Sequence, residues 1–302
     1  MSKILCYGSL NLDYVYNVDH FVSGGETLAS DSLNVIAGGK GLNQAIAAAR
    51  AGAEVYHAGK IGHNGKMLKD ILEENGVNTQ NVREAEGENG HAIIQVDKSG
   101  QNCILLFSGT NAEIKRDEID KTLNEFEKGD WLILQNEINE LPYIVDKAYE
   151  KGLRVVFNPS PINEKIFEID FSKITYLILN EVEGEALTGF CDKNKILSAL
   201  REKYKINLLL TLGKNGSVYY DGENMIETGI FEIKAVDTTA AGDTMLGYFV
   251  AGIDSGENPK KVLLQASKAA AVAVSRFGAA PSIPKKEELD GISLKYKKSV
   301  PN

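Results

Sequence analysis

In the segment Ala235-Val-Asp-Thr-Thr-Ala-Ala-Gly-Asp-Thr-Met245, two aspartates, Asp237 and Asp243, bracket a run of small and hydroxyl-bearing residues. A strongly apolar, helix-like stretch, Met245–Ile253, follows directly. Small residues let the backbone come close to a ligand, and the N-terminus of a helix offers several unpaired N–H donors to an anion. A carboxylate in that place would repel the anion the amides attract. A base that takes a proton from a hydroxyl, with phosphate charge held alongside, suits the position. For an isolated Gly-Asp-Thr, an aspartate capping a helix is the plainer reading.

A second segment of the same kind lies far upstream, Ala37-Gly-Gly-Lys-Gly-Leu-Asn-Gln-Ala45. Its glycines around Lys40 give a backbone that can bend and nearly touch a ligand, and Asn43 at a helix start offers both donors and acceptors to hydroxyl groups. The spacing is neither that of a P-loop nor that of the dinucleotide fingerprint. A Gly-rich turn entering a helix is the alternative, and it would not require Asn43. Asn11 and Asp13 follow the first strand at alternate positions, so they share a face if the strand continues; an amide with a carboxylate suits a polyol, and a plain turn explains them as well. Glu137 follows the apolar strand Trp131–Gln135, where α/β folds bind ligands beyond strand C-terminal ends. Asn180-Glu-Val-Glu183 also follows a strand; it reads equally as a metal–nucleotide contact or as an N-cap with acids in the first helical turn.

These residues must be positioned by alternating strands and helices. Strands are expected at Lys3–Gly8, Glu54–Lys60, Trp131–Gln135, Arg154–Asn158, Tyr176–Asn180 and Leu208–Leu212. Helices are expected at 41–51, 66–75, 118–127, 141–151, 193–204 and, rich in Ala, 262–275. Buried β-rich runs separated by amphipathic helices predict a mainly parallel sheet with helices on both faces. Strand-like pieces at 14–18 and 30–37, and the hairpin 91–97 with 102–107 around Lys98-Ser-Gly-Gln101, have a different texture. The expected organisation is one α/β domain over residues 1–302, with strand-rich insertions at about 12–37 and 90–109 that can pair into a small sheet over the site. A late hairpin, Val218–Tyr220 with Met225–Ile233, and a frayed end, Lys295–Asn302, complete the reading.

The 302 residues are 43% hydrophobic and 25% charged, an ordinary globular composition. A formal charge of −9 argues against nucleic acid or an anionic membrane as partner, although backbone amides can still hold phosphate. No apolar run approaches a membrane span, and the N-terminus reads as a first strand rather than a leader, so a cytoplasmic protein is expected. Cys6, Cys103 and Cys191 suggest neither a disulfide framework nor a zinc site, and the four histidines lack metal-ligand spacing. No Gly-x-Ser-x-Gly elbow supports a hydrolase.

With these motifs the chain resembles the ribokinase-like carbohydrate kinases. The resemblance runs from Gly8 to Pro284, through Gly8-Ser-Leu-Asn-Leu-Asp13, Gly38-Gly-Lys-Gly-Leu-Asn-Gln-Ala45, Asn180-Glu-Val-Glu183, Thr211-Leu-Gly213 and Asp237-Thr-Thr-Ala-Ala-Gly-Asp-Thr244. It implies a parallel sheet between helices and a small β lid that also pairs two subunits into a homodimer. It implies that Asp243 is the base for a sugar's primary hydroxyl, with the amides of Ala240, Ala241 and Gly242 as anion hole. Asn11, Asp13, Gly38, Gly39, Lys40, Asn43 and Glu137 would hold the sugar. Asn180, Thr211, Gly213 and Gly216 would hold ATP, with Glu183 on the magnesium–phosphate motif. A monovalent cation, potassium, would sit among Asp237, Thr239, Ala273, Arg276, Gly278 and Ser282. The implied reaction moves the γ-phosphoryl group of ATP to the 5-hydroxyl of ribose. Deoxyribose, a nucleoside or a ketohexose are the alternative acceptors, and a catalytically silent sugar-binding protein is the alternative of another class. Ser108-Gly-Thr-Asn111 and Phe157-Asn-Pro-Ser-Pro161 depart modestly from the family's usual Gly-Ala-Asn and Asn-Pro-Ala-Pro.

Overall fold

The computed structural model describes residues 2–298. The chain opens with β1 (Ile4–Tyr7), β2 (Asn11–Asn17), β3 (Ser32–Gly38), helix α1 (Lys40–Arg50), β4 (Val55–Ile61), α2 (Lys66–Glu74) and β5 (Asn78–Glu84). Next come β6 (Gly90–Val96), β7 (Asn102–Phe107), α3 (Arg116–Leu123), β8 (Trp131–Gln135), α4 (Leu141–Lys151) and β9 (Arg154–Asn158). They are followed by β10 (Tyr176–Asn180), α5 (Glu181–Thr188), α6 (Lys193–Tyr204), β11 (Asn207–Thr211), β12 (Ser217–Tyr220), β13 (Met225–Thr228) and β14 (Ile230–Phe231). Helices α7 (Ala241–Asp254), α8 (Pro259–Val274) and α9 (Lys286–Gly291) and a short β15 (Tyr296–Lys297) finish it.

Nine strands form the main sheet in the order β13-β12-β11-β10-β9-β8-β1-β4-β5. The pairs from β11 to β5 are parallel, and β12 and β13 add an antiparallel edge. The central strands are short because five residues of a near-continuous apolar run suffice for a strand buried on both faces. Alternate residues feed two cores: Ile133, Val156, Ile178 and Leu209 pack under α1, α7 and α8. Leu132, Val155, Leu177 and Leu208 pack under α3, α4 and α6. The expected α/β fold is therefore the one observed.

The two strand-rich insertions meet as a second, four-stranded sheet, β3-β2-β6-β7. Strand β2 joins β6 in parallel along its length, from Asn11 opposite Gly90 to Asn17 opposite Val96. His91 lies against the rings of Tyr14 and Phe107 in this sheet, a packing role.

Three segments differ from expectation. Strand β5 goes unnoticed in the sequence because the buried side chains of Asn78–Glu84 include Thr79 and Asn81, which are polar and held by Glu73 and Glu125. The late strand expected over 225–233 breaks at Gly229: β13 pairs with β12, whereas β14 turns away to pair with β15. Gly229 N–H donates to the Tyr296 hydroxyl at 2.8 Å and Tyr296 packs on Phe231, so the expected frayed end is ordered through Lys297. Residues 299–302 lie outside the described part.

Candidate active site

One cavity of about 940 Å3 opens where the C-terminal ends of β8 to β11 meet the small sheet. Its position beyond strand C-termini is the general ligand site of open α/β sheets. Helix α7 points its N-terminus into the cavity, and Asp243 sits in the first turn, almost fully buried. Ala240, at the N-cap, adopts a left-handed backbone (φ 59°), which a non-glycine residue reaches only when its surroundings hold it there. Among the described residues, the N–H groups of Ala240, Gly242 and Asp243 have no acceptor, whereas Ala241 N–H donates to Thr238 O at 3.3 Å. A Cβ at Gly242 would meet nothing within 4 Å among the described residues, so space lies open in front of these donors.

The Asp243 carboxylate is held from α1. Asn43 Nδ2 donates to Oδ2 at 3.1 Å and Gln44 Nε2 to Oδ1 at 2.9 Å. Those bonds exist because α1 and α7 touch one turn further on. A Cβ on Gly247 would lie 2.5 Å from Ala47 Cβ and 2.6 Å from Ala48 N, so the helices approach closer than side chains allow. Asp243 and Gly247, like Asn43 and Ala47, are one helical turn apart on the same face. Among the described residues Asn43 Oδ1 has no partner; it is buried beside the cavity, an acceptor aimed where a hydroxyl donor could sit.

The opposite wall is the small sheet. Asn11 and Asp13 alternate on β2 and face the cavity together. Asn111 Nδ2 donates to Asn11 Oδ1 at 2.8 Å and fixes its orientation. Asp13 packs on Gly38, where a Cβ would fall 2.0 Å from its carboxylate oxygen. Burial first, then the nearby Glu137 carboxylate, pushes Asp13 up to about 7. Gly39 carries φ 93° at the start of α1, a conformation glycine reaches without strain. Glu137, beyond β8, accepts from Lys40 N–H at 3.0 Å and from the Ser9 hydroxyl. Its burial raises its carboxyl against the opposing effects of Lys40 and Ser9. Burial lowers the Lys40 ammonium, but the carboxylates of Asp243, Glu137 and Glu183 outweigh it and the net shift is upward, so it stays charged.

At the other end, Asn180, Glu183 and Thr211 line the same cavity. Asn180 is also the N-cap of α5 in a full capping box. Its Oδ1 accepts from Glu183 N–H at 2.9 Å, and both Glu183 oxygens accept from Asn180 in return. Asp237 and Thr239 line the cavity beside Gly278. Asp237 accepts from Thr239 N–H at 2.9 Å, the Thr239 hydroxyl at 2.6 Å and Gly278 N–H at 3.0 Å. Burial alone would raise the Asp237 carboxyl; these bonds prevail and hold it below its ordinary value. Gly38, Gly213, Gly216, Ala273, Arg276 and Ser282 do not line the cavity. Gly216 (φ 95°) serves a tight turn against Thr228, Arg276 pairs with Glu288, and Ser282 donates to Ala279 O. Gln44, Gln135 and Asn158 received no role from the sequence. Gln44 and Asn158 lay inside quoted motifs, and the contacts that tie them to Asp243 come from residues distant in the chain.

Comparison with known proteins agrees with this architecture. The family described as pfkB family carbohydrate kinase matches residues 1–286. The ribokinase of Haemophilus influenzae is 35% identical over 292 residues, covering 93% of this chain and 95% of that protein. The crystal structure of ribokinase from Cryptococcus neoformans in complex with ADP superposes with a TM-score of 0.85 at 31% identity, covering 96% of this chain and 99% of that one. Ribokinase of Arabidopsis thaliana complexed with ribose and ATP superposes at 0.84 with 27% identity, covering 96% and 98%. The chain belongs to the pfkB family of carbohydrate kinases. It is a sugar kinase, a phosphotransferase whose acceptor is an alcohol group.

Proposed function

We propose that this kinase transfers the γ-phosphoryl group of ATP to the 5-hydroxyl of ribose, with Asp243 as general base. The observation that carries the reading is the Asp243 carboxylate, held by two side-chain amides at the mouth of a helix where, among the described residues, the N–H groups of Ala240, Gly242 and Asp243 are free. The 5-oxygen attacks the γ-phosphorus, the bond from phosphorus to the bridging oxygen of ADP breaks, and the hydroxyl proton passes to Asp243. The amides of Ala240 and Gly242, with Ala241 once it leaves Thr238, would receive the transferred group's oxygens. Lys40 adds positive charge beside them. Asn11, Asp13, Gly38, Gly39, Asn43 and Glu137 form the sugar end. This dense set of donors and acceptors suits a small, hydroxyl-rich ring better than a nucleobase. The triphosphate would run toward Asn180, Thr211 and the turn carrying Gly213 and Gly216. The ADP and ATP complexes of the relatives support ATP as the phosphoryl donor.

Among the described residues no cluster of three His, Cys, Asp or Glu side chains could cage a metal. Magnesium fits as an ion that arrives on the triphosphate and keeps its waters. Glu183 is the carboxylate the nucleotide end offers, and with both oxygens taken by Asn180 it would act through that water shell. Bound there, the ion would offset phosphate charge. Potassium fits the ionised Asp237 and the oxygen-rich turns of Thr239, Ala273, Arg276, Gly278 and Ser282. Those turns would support the anion site from outside the reacting centre.

The small sheet would act as lid, and its outer face supports a homodimer. Leu33, Val35, Ile93, Leu105 and Phe107 are exposed there, an apolar stretch of the kind that marks an interaction surface. A panel of pentoses, hexoses and nucleosides with ATP, run in potassium and then in sodium, tests the reading. Ribose with potassium should give the highest kcat/KM; a nucleoside or a hexose ahead of ribose would overturn the substrate assignment.

A further inference from the structure

Behind Asp243, away from the cavity, two glutamines are buried completely, Gln44 on α1 and Gln135 at the end of β8. Gln44 Nε2 gives its hydrogens to Asp243 Oδ1 at 2.9 Å and to Asn158 Oδ1 at 3.3 Å. Its Oε1 accepts from Gln135 Nε2 at 2.7 Å, and Gln135 Nε2 also reaches Cys6 Sγ at 3.5 Å. Gln135 Oε1 is left buried without a partner among the described residues, lying over Gly8, where a Cβ would come within 2.1 Å of it.

We propose that Gln44, locked in one amide orientation by Gln135, is a positioning residue that fixes the Asp243 carboxylate for proton abstraction. The inference rests on the reading of Asp243 as the base. An ionised carboxylate only accepts, so Gln44 must turn its NH2 toward Asp243. Gln135 enforces the same orientation from the other side, because a flipped Gln44 would set NH2 against NH2. Asn43 serves the second Asp243 oxygen, so the carboxylate plane is fixed. The pair leaves one acceptor of its own orphaned while it supplies hydrogens to Asp243 and Asn158, which an apolar replacement of Gln44 would leave without that donor. Orientation of the base is what an apolar replacement could not supply.

The full-length chain as Gln44→Met, Gln44→Glu, Gln135→Met and Asp243→Asn tests this. Steady-state kinetics would run across pH, with calorimetric binding of ribose as the check on folding. Gln44→Met is expected to lower kcat tenfold or more while KM for ribose and ATP stays within about threefold. Gln44→Glu sets a like charge beside Asp243, so the acidic limb of kcat/KM for ribose should move up by about one pH unit or more. Gln135→Met should lower kcat in the same direction by less. Wild-type kcat and an unmoved acidic limb in the Gln44 variants, with Asp243→Asn inactive, would overturn the proposal alone. Substantial turnover by Asp243→Asn would instead overturn the base assignment, and the proposal with it. If Gln44→Glu does not fold, the two neutral variants decide on kcat against KM.

Discussion

Asp13 and Asp243 are both buried carboxylates in one cavity, yet their surroundings differ. Asp243 receives two amide hydrogens; Asp13 has Glu137 as its neighbour and is pushed up to about 7 from an ordinary 3.8. The folded chain therefore binds more protons at Asp13 than the unfolded chain between those two values. Its contribution to stability is lost as pH rises through that window. Without sugar, the thermal midpoint is expected to fall from about pH 5 to about pH 8. Asp13→Asn should flatten that slope and raise the midpoint at about pH 8 by ~2 °C or more, while raising KM for ribose. A slope unchanged by Asp13→Asn, followed by calorimetry, would contradict this. The chemistry of these residues was legible in the sequence because type and spacing survive there: the two long motifs carried Asp243, Asn43 and the glycines. Gln44's role was not legible, since it depends on Gln135 and Asn158, whose proximity only the folded sheet creates.

At the scale of elements, the contact between α1 and α7 is what turns two distant motifs into one site. Gly247 permits it, with Ala47 and Ala48 opposite. Gly247→Ala should force the helices apart, destabilise the fold by about 1–3 kcal/mol in chemical denaturation, and lower kcat by drawing Asp243 from its amides. Gly38→Ala belongs to the same scale: its Cβ would strike Asp13, so KM for ribose should rise about tenfold with KM for ATP little changed. Loss of ATP affinity instead would show that β3 positions the nucleotide. The cap of α5 separates two roles for one residue. Asn180→Ala should cost about 1 kcal/mol of stability through the lost cap, and raise KM for ATP only if Asn180 also touches nucleotide. Strands of the main sheet were legible because their apolar runs are short and bounded. Strand β5 was not, because a buried polar side chain looks the same as an exposed one until its partner is known.

At the scale of the molecule, helix α7 over the main sheet carries Asp243 and the free amides, and a separate small sheet brings Asn11 and Asp13 to the facing wall of the cavity. The sequence showed both parts as a change of texture, but the parallel pairing of β2 with β6 joins residues nearly eighty positions apart and has no local signature. The apolar outer face of the small sheet sets a further expectation. Leu105→Glu, at the most exposed of those positions, should shift sedimentation from dimer to monomer and raise KM for ribose by loosening the sheet. A wild-type chain sedimenting as a monomer would remove that part of the account.

In the proposed reaction Asp243 takes the proton from the sugar hydroxyl. Turnover of Asp243→Asn with saturating ribose and ATP, on protein shown by calorimetry to bind both, tests it most directly. A loss in kcat of about 10²–10⁴-fold or more, with ligand binding retained, is expected. Near-normal kcat in that variant would contradict it.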